Sequence, residues 1–273
     1  MGRVVAVFAR SACVEVGRDL ICVGSPELRR GPLNALVTSA SALRAWLAGA
    51  TPGQRVTCTS RRIRLLGAEL DFDGARRWHP PRPALPVDGE RLLRGIAAMR
   101  AAAAGRVPDD GLAFLVGGTS ACANRLALIG DEAANMLHDW LVQGDLSRIP
   151  QVLENLIGLG PGLTPSGDDF LGGALVALHA FGRSDAAHAL AGRVLPLCER
   201  GTHPVSAAHL RAAARGEGGE ALHACLCALA EAQGAERCVD AIATTGHTSG
   251  WDALGGALVV AAAHARPNRT RGA

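Results

Sequence analysis

Two stretches of this chain repeat one chemistry. SGDDFLGGALV begins at Ser166 and SGWDALGGALV begins at Ser249, with nine of eleven positions identical. A Gly/Thr turn precedes each copy, GPGLTP in the first and TTGHT in the second. Each copy therefore sets a hydroxyl, a carboxylate and bare backbone amides at what reads as a helix N-terminus. Amides there carry the positive end of the helix dipole and attract anions. Ser166 with Asp169, and Ser249 with Asp252, also have the Ser-x-x-acid spacing of a capping box, in which hydroxyl and acid satisfy orphan amides of their own helix. Capping alone accounts for these four residues; an anion site would use the same four as contacts.

Three details exceed what a cap needs. Gly172/Gly173 and Gly255/Gly256 each cost helix stability, about 1 kcal/mol relative to Ala, so another backbone or a ligand is expected to approach closely there. Asp168 has no acidic counterpart in the second copy, where Trp251 stands, and this makes it the better functional candidate. The loop GLGPGLTP before the first helix, with Gly160, Gly162 and Thr164, can turn several amides toward an anion. It is neither GxGxxG nor a Walker A loop.

A second polar cluster, GTHPVSAAHLRAAARGE, places Ser206, His209 and Arg211 at a helix start, with His203 in the entering loop. Ser206 reads as a cap and the histidines as surface groups, or else a histidine is an acid/base group and Arg211 an anion clamp. His247 and Thr248 stand at the mouth of the second repeat. No HxxxH or HExxH pattern supports zinc; acidic residues beside a phosphate could hold Mg²⁺. RRGPLNALV (29–37) and GGTSACANRL (117–126, with Asn124 and Arg125) read as turns leading into elements.

Composition removes several functions. All 28 basic residues are Arg. The absence of Lys excludes a Lys Schiff base and a Walker A site. A formal charge of +3 and 3% aromatic residues, with no Tyr, give nucleic acid neither a basic surface nor a stacking platform. Eight Cys occur without a CxxC pair; Cys225 and Cys227 form a CxC in an apolar run and read as small buried hydrophobes. Scattered thiols fit a reducing compartment. No signal-peptide h-region and no membrane-length apolar run is read, so a cytoplasmic protein is expected.

The elements that must position these residues fall in two groups. Short β-branched runs at 4–9, 13–16 and 20–24, alternation over 55–67, and AELDFDG predict strands, with one helix over 39–48 capped by Ser39 or Ser41. HPPRPALP (79–86) has linker composition. Beyond it, helices are expected at 89–104, 124–141, 149–156, 168–181, 186–197, 206–215, 220–233, 236–243 and 251–265, with FLVGG (114–118) a buried strand or the start of a loop. The fold class is α+β: a β-rich domain over 1–86, then a mainly helical domain over 87–273 carrying both repeats.

The strings IGLGPGLTPSGDDFLGG, THPVSAAHLRAAARGE and GHTSGWDALGG, together with LDFDGARRWHP (70–80), resemble the family of domain of unknown function 2877. That family includes AllH, a subunit of oxamate carbamoyltransferase in anaerobic purine (allantoin) catabolism. The resemblance covers most of the chain. It implies a transferase reaction that moves a carbamoyl group between phosphate and oxamate, giving or consuming oxalurate. Such chemistry needs an anion site, donors on the carbamoyl oxygen and a clamp for the substrate carboxylate. It requires no covalent cofactor. The resemblance makes Gly160, Gly162, Thr164, Ser166, Gly167 and Asp168 one wall and His247, Thr248 and Ser249 the other, with Asp169, Ser206, Arg211 and Asp252 as further anion contacts. Asp168, His209 and His247 are the expected catalytic groups. Other subunits, one resembling acyl-CoA-synthetase-like proteins, would be partners. Two rivals stand beside this expectation: a non-catalytic anion- or nucleotide-binding subunit that regulates or assembles a complex, and a helical scaffold whose repeats are packing devices.

Overall fold

The computed structural model describes residues 1–118, 125–145 and 150–266. The expected turn at 117–126 and the helix starts expected at 124 and 149 fall partly outside them; Cys122 and Asn124 lie wholly outside. The chain divides into two units, Met1–His79 and Pro80–Ala273.

The first unit is a seven-stranded sheet. Its strands are β1 (Gly2–Phe8), β2 (Ser11–Val16), β3 (Asp19–Gly24), β4 (Asn34–Leu36), β5 (Arg55–Cys58), β6 (Arg62–Leu65) and β7 (Ala68–Asp71), in the order β4-β3-β2-β1-β5-β6-β7. Neighbours are antiparallel except β3 and β4. Helix α1 (Ala40–Ala48) begins at Ser39, whose hydroxyl accepts from the Ala42 amide, so Ser39 and not Ser41 is the cap. The β-branched residues that suggested strands supply the core: Val4, Val14, Val23, Val56 and Ile63 pack with Leu43 and Trp46 of α1. Cys13 and Cys22 stand opposite each other on β2 and β3.

The second unit is helical: α2 (Gly89–Ala103), α3 (Phe114–Gly117), α4 (Arg125–Gln143), α5 (Ser166–Ala180), α6 (Ser184–Gly201), α7 (Pro204–Ala213), α8 (Glu220–Glu231), α9 (Ala235–Ala243) and α10 (Ser249–His264). FLVGG forms neither a strand nor a loop but the single turn of α3, closed by Gly118 at φ +77°, a left-handed conformation that glycine adopts without strain. The segment expected at 149–156 is a 3₁₀ turn, Gln151–Leu156. Among the described residues, no helix is long and apolar enough to cross a membrane.

Helices α5 and α10 carry the repeats and form the centre of this unit. Both are buried around nearly their whole circumference, as expected of helices enclosed by other helices. They meet reciprocally. A Cβ on Gly173 would lie 1.9 Å from the carbonyl oxygen of Ala253, and one on Gly256 would lie 2.0 Å from that of Phe170. These are equivalent positions of the two repeats, so the pair is related by a local two-fold. The second glycine of each pair therefore exists for backbone approach. Gly172 has its nearest neighbour, the Ala213 methyl, at 3.9 Å from such a Cβ, an ordinary contact.

Candidate functional site

The capping boxes expected from sequence do not form. Pro165 and Thr248 occupy the cap positions, and Ser166 and Ser249 are the first helical residues. The amides of Asp168 and Asp169 donate to the Pro165 carbonyl, and that of Asp252 donates to the Thr248 carbonyl. With those amides already paired, the serine hydroxyls are released from their own helices and cross to the other.

The crossing is reciprocal. Ser249, at the start of α10, hydrogen-bonds to Asp169 on α5, with Thr164 on the same carboxyl. Ser166, at the start of α5, hydrogen-bonds to Asp252 on α10, with Thr248 on that carboxyl. Thr164 Oγ1 and Ser249 Oγ are 2.9 Å apart and hydrogen-bonded. The loop before α3 closes the second half: Leu112 donates its amide to Asp252 Oδ1 at 2.7 Å. Gly111, at φ +68°, makes this possible, since any Cβ there would lie 2.8 Å from both Asp252 Oδ1 and Ser166 Oγ.

Burial raises the pKa of both carboxyls. Asp169 is pushed well above the usual carboxylate value by desolvation, opposed by the Ser249 and Thr164 hydroxyls and reinforced by the charges of Asp252 and Asp168. Asp252 is raised to about 6 by desolvation, opposed by the Thr248 and Ser166 hydroxyls and the Leu112 amide. In each, Oδ2 is buried with no hydrogen-bond partner.

Asp168 stands in a different environment. It is 2% exposed. Its Oδ1 accepts from the Gly158 amide at 2.9 Å, and its Oδ2 accepts from the Ser206 hydroxyl at 2.7 Å and from the Thr202 hydroxyl. It thus ties the Gly-rich loop to the start of α7. Ser206 is no cap: His203 takes the cap position and accepts from the Val205 amide.

The glycines of the loop divide by role. Gly160 at φ +113° leaves room over the Ser166 amide, which a Cβ would approach to 2.9 Å. Gly162 at φ +93° is exposed with nothing within 4 Å of a Cβ. Gly167 is a packing glycine, its Cβ position 2.1 Å from the Leu156 carbonyl oxygen and its amide donating to Leu159.

The remaining candidates are peripheral. His247 Nε2 pairs with Asp110 Oδ2 at 3.1 Å, both largely exposed; this hangs His247 on the loop that delivers Gly111 and Leu112. Arg211 pairs with Glu199 at 3.2 Å. His209 is crowded by protein, which lowers its pKa below the ordinary imidazole value, but its solvent access limits the shift. Among the described residues, no three His, Cys, Asp or Glu side chains gather as metal ligands. Gly158 lies in the loop GLGPGLTP that the sequence marks, although its amide serves Asp168; sequence reasoning missed Gly111 with Leu112, Thr202 and Asp110. Their one signal was the turn composition of PDDG and GTHP.

The fold and site define an α+β protein whose helical unit is built on a two-fold pair of helix starts, fastened through the buried Asp252 and the half-buried Asp169. Residues 156–261, which hold all of α5 and most of α10, match the model of a family described as oxamate carbamoyltransferase subunit AllH. The match bears out the resemblance carried by the repeat motifs. No solved structure matches the chain.

Proposed function

We propose that this chain is a subunit of a carbamoyltransferase complex of the oxamate/oxalurate type, and that the joined starts of α5 and α10 receive the phosphate or carbamoyl phosphate anion. The observation that carries this reading is the hydrogen bond between Thr164 and Ser249. It brings two helix starts to one point, inside the segment that matches the family. Two converging helix N-termini and two hydroxyls suit an oxyanion. Gly160 and Gly162 keep the approach clear, and His247 stands at the rim. The family description, that of a subunit, favours a hetero-oligomeric assembly, with an acyl-CoA-synthetase-like protein as the partner the resemblance implies.

One observation favours a second reading. Asp168, the strongest catalytic candidate, is spent on three protein donors. A subunit that binds the anion and leaves transfer to its partners needs Asp168 only as a tie. Thermal-shift titration of the full chain with carbamoyl phosphate, phosphate and oxamate tests the site, because a ligand bound only by the folded state raises the melting point. A rise with the phosphate compounds, lost in Thr164→Val, is expected; no rise with any of them overturns the reading. Phosphate-dependent oxalurate cleavage by the reconstituted complex then separates the catalytic subunit from the binding one.

A further inference from the structure

The helix starts that would receive an anion are already occupied by two carboxyls. Each helix N-terminus carries the equivalent of roughly half a positive charge. Together they offset about one carboxylate charge; Asp168 is met by three donors of its own, so of Asp169 and Asp252 one charge is left uncompensated. Uncompensated buried charge costs several kcal/mol and is relieved by neutralisation. The two Oδ2 atoms without partners mark where the neutralising species belongs.

We propose that Asp169 and Asp252 are a carboxyl pair holding one shared proton, and that this proton permits an oxyanion to bind at Thr164 and Ser249. The inference rests on the anion site proposed above and assigns it a proton requirement. With both carboxyls charged, an incoming oxyanion meets two like charges behind the hydroxyls that must donate to it. With one proton in the pair, the carboxyl behind Thr164 and Ser249 is neutral. A neutral carboxyl is a weaker acceptor than a carboxylate, so a hydroxyl is then free to turn its hydrogen outward to the anion. At a pH where the free pair has lost this proton, binding draws one from solvent and release returns it, so no other reactant is needed.

Two charges bear on Asp169, those of Asp252 and Asp168. The loop facing Asp252 supplies only the Leu112 amide. Thr202 and Ser206, from the α6–α7 side, are committed to Asp168. At the rim, His247 is paired with Asp110; farther along α7, His209 stands open to solvent and Arg211 is paired with Glu199. Among the described residues, the pair's titration is therefore set by its own burial and its carboxylate neighbours.

Sulfate is the probe, since it does not itself titrate near neutral pH. Its affinity for the full chain, measured by calorimetry across the pH range, should fall by up to tenfold per pH unit once the shared proton leaves, as one linked proton requires. Asp169→Asn, neutral at every pH, should bind sulfate with a flat profile, and Asp252→Asn should change the profile in the same sense. Infrared spectra at neutral pH should show a protonated-carboxyl C=O band that Asp169→Asn removes. Absence of that band overturns the shared proton whether or not sulfate binds. An unchanged pH slope in Asp169→Asn overturns the linkage. A melting-point rise with Mg²⁺ or K⁺ that Asp169→Asn abolishes overturns the proton in favour of a cation. Failure of wild type to bind sulfate at any pH overturns the anion site itself, a result separable from the infrared one.

Discussion

Asp252, on α10, hydrogen-bonds to Ser166, the first residue of α5, and not to Ser249, the first residue of its own helix. Asp169 does the converse with Ser249. Residues spaced to cap two separate helices instead fasten them to each other, and this places the carboxyls between the helices.

The glycine pairs separate cleanly under mutation. Gly173→Ala and Gly256→Ala would push a methyl onto a backbone carbonyl at 1.9 and 2.0 Å. Backbone cannot retreat as a side chain tip can, so each should destabilise by about 3 kcal/mol or more, at or above the usual range for overpacking. Gly172→Ala meets nothing closer than 3.9 Å and should gain up to about 1 kcal/mol of helix propensity. Urea unfolding of the three variants measures all of this.

Asp168→Ala should cost on the order of 3 kcal/mol, because a hydrogen bond to a charged group is worth more than a neutral one and its buried donors would be left unpaired. Ser206→Ala removes one donor and should cost about 1 kcal/mol. If the melting points fall in this order while the phosphate-induced shift survives in Ser206→Ala, Asp168 is a tie between the loop and α7. A full-stability Asp168→Ala would contradict that.

Stability should fall as pH rises through the acid range. Asp252 has a folded pKa of about 6 against an ordinary carboxylate value of 3.8, so between these values the folded state holds more protons than the unfolded one. Its contribution is intact below pH 4 and is lost by about pH 6, a change on the order of 3 kcal/mol. Asp169, also raised by desolvation, contributes in the same direction. Asp252→Asn, which can still accept from the Leu112 amide, should exceed wild type in stability above pH 6 and lose that advantage below pH 4. Unfolding free energies at pH 4 and 7 decide it.

The exposed pair of His247 and Asp110 should matter little to folding. Surface ion pairs contribute about 0–1 kcal/mol. His247→Ala should leave the melting point nearly unchanged and weaken the phosphate-induced shift, as a rim residue would. A large drop in melting point would make it structural instead.

The strands and most helices were legible because their signals are local. Val4, Val14 and Val56 lie in β-branched runs, and Ser39 precedes a 3.6-period stretch. FLVGG was ambiguous between a strand and the start of a loop because three apolar residues before two glycines carry no period, and Gly118 decided for a helical turn. The site was legible in its residue types and not in its connections. A Ser three positions before an Asp has the same spacing whether the two bond to each other or to another helix. Only the Pro165 and Thr248 carbonyls, by taking the helix amides, settle the matter. Leu112 and Thr202 act through a backbone amide and a lone hydroxyl brought in by tertiary packing, and neither has a sequence pattern to announce it.

The reciprocal seating of Gly173 and Gly256 also sets an order of assembly. Eighty-three positions separate Ser166 from Ser249, and the two helices can dock only after the intervening chain has closed that span, an entropic toll that long-range contacts must overcome before they are rewarded. Until α10 leaves the ribosome, α5 has an uncovered apolar groove and a carboxyl, Asp169, that lacks the Ser249 hydroxyl. A nascent chain halted before residue 249 is thus a natural client for chaperones, and the anion site is among the last parts of the molecule to come into being.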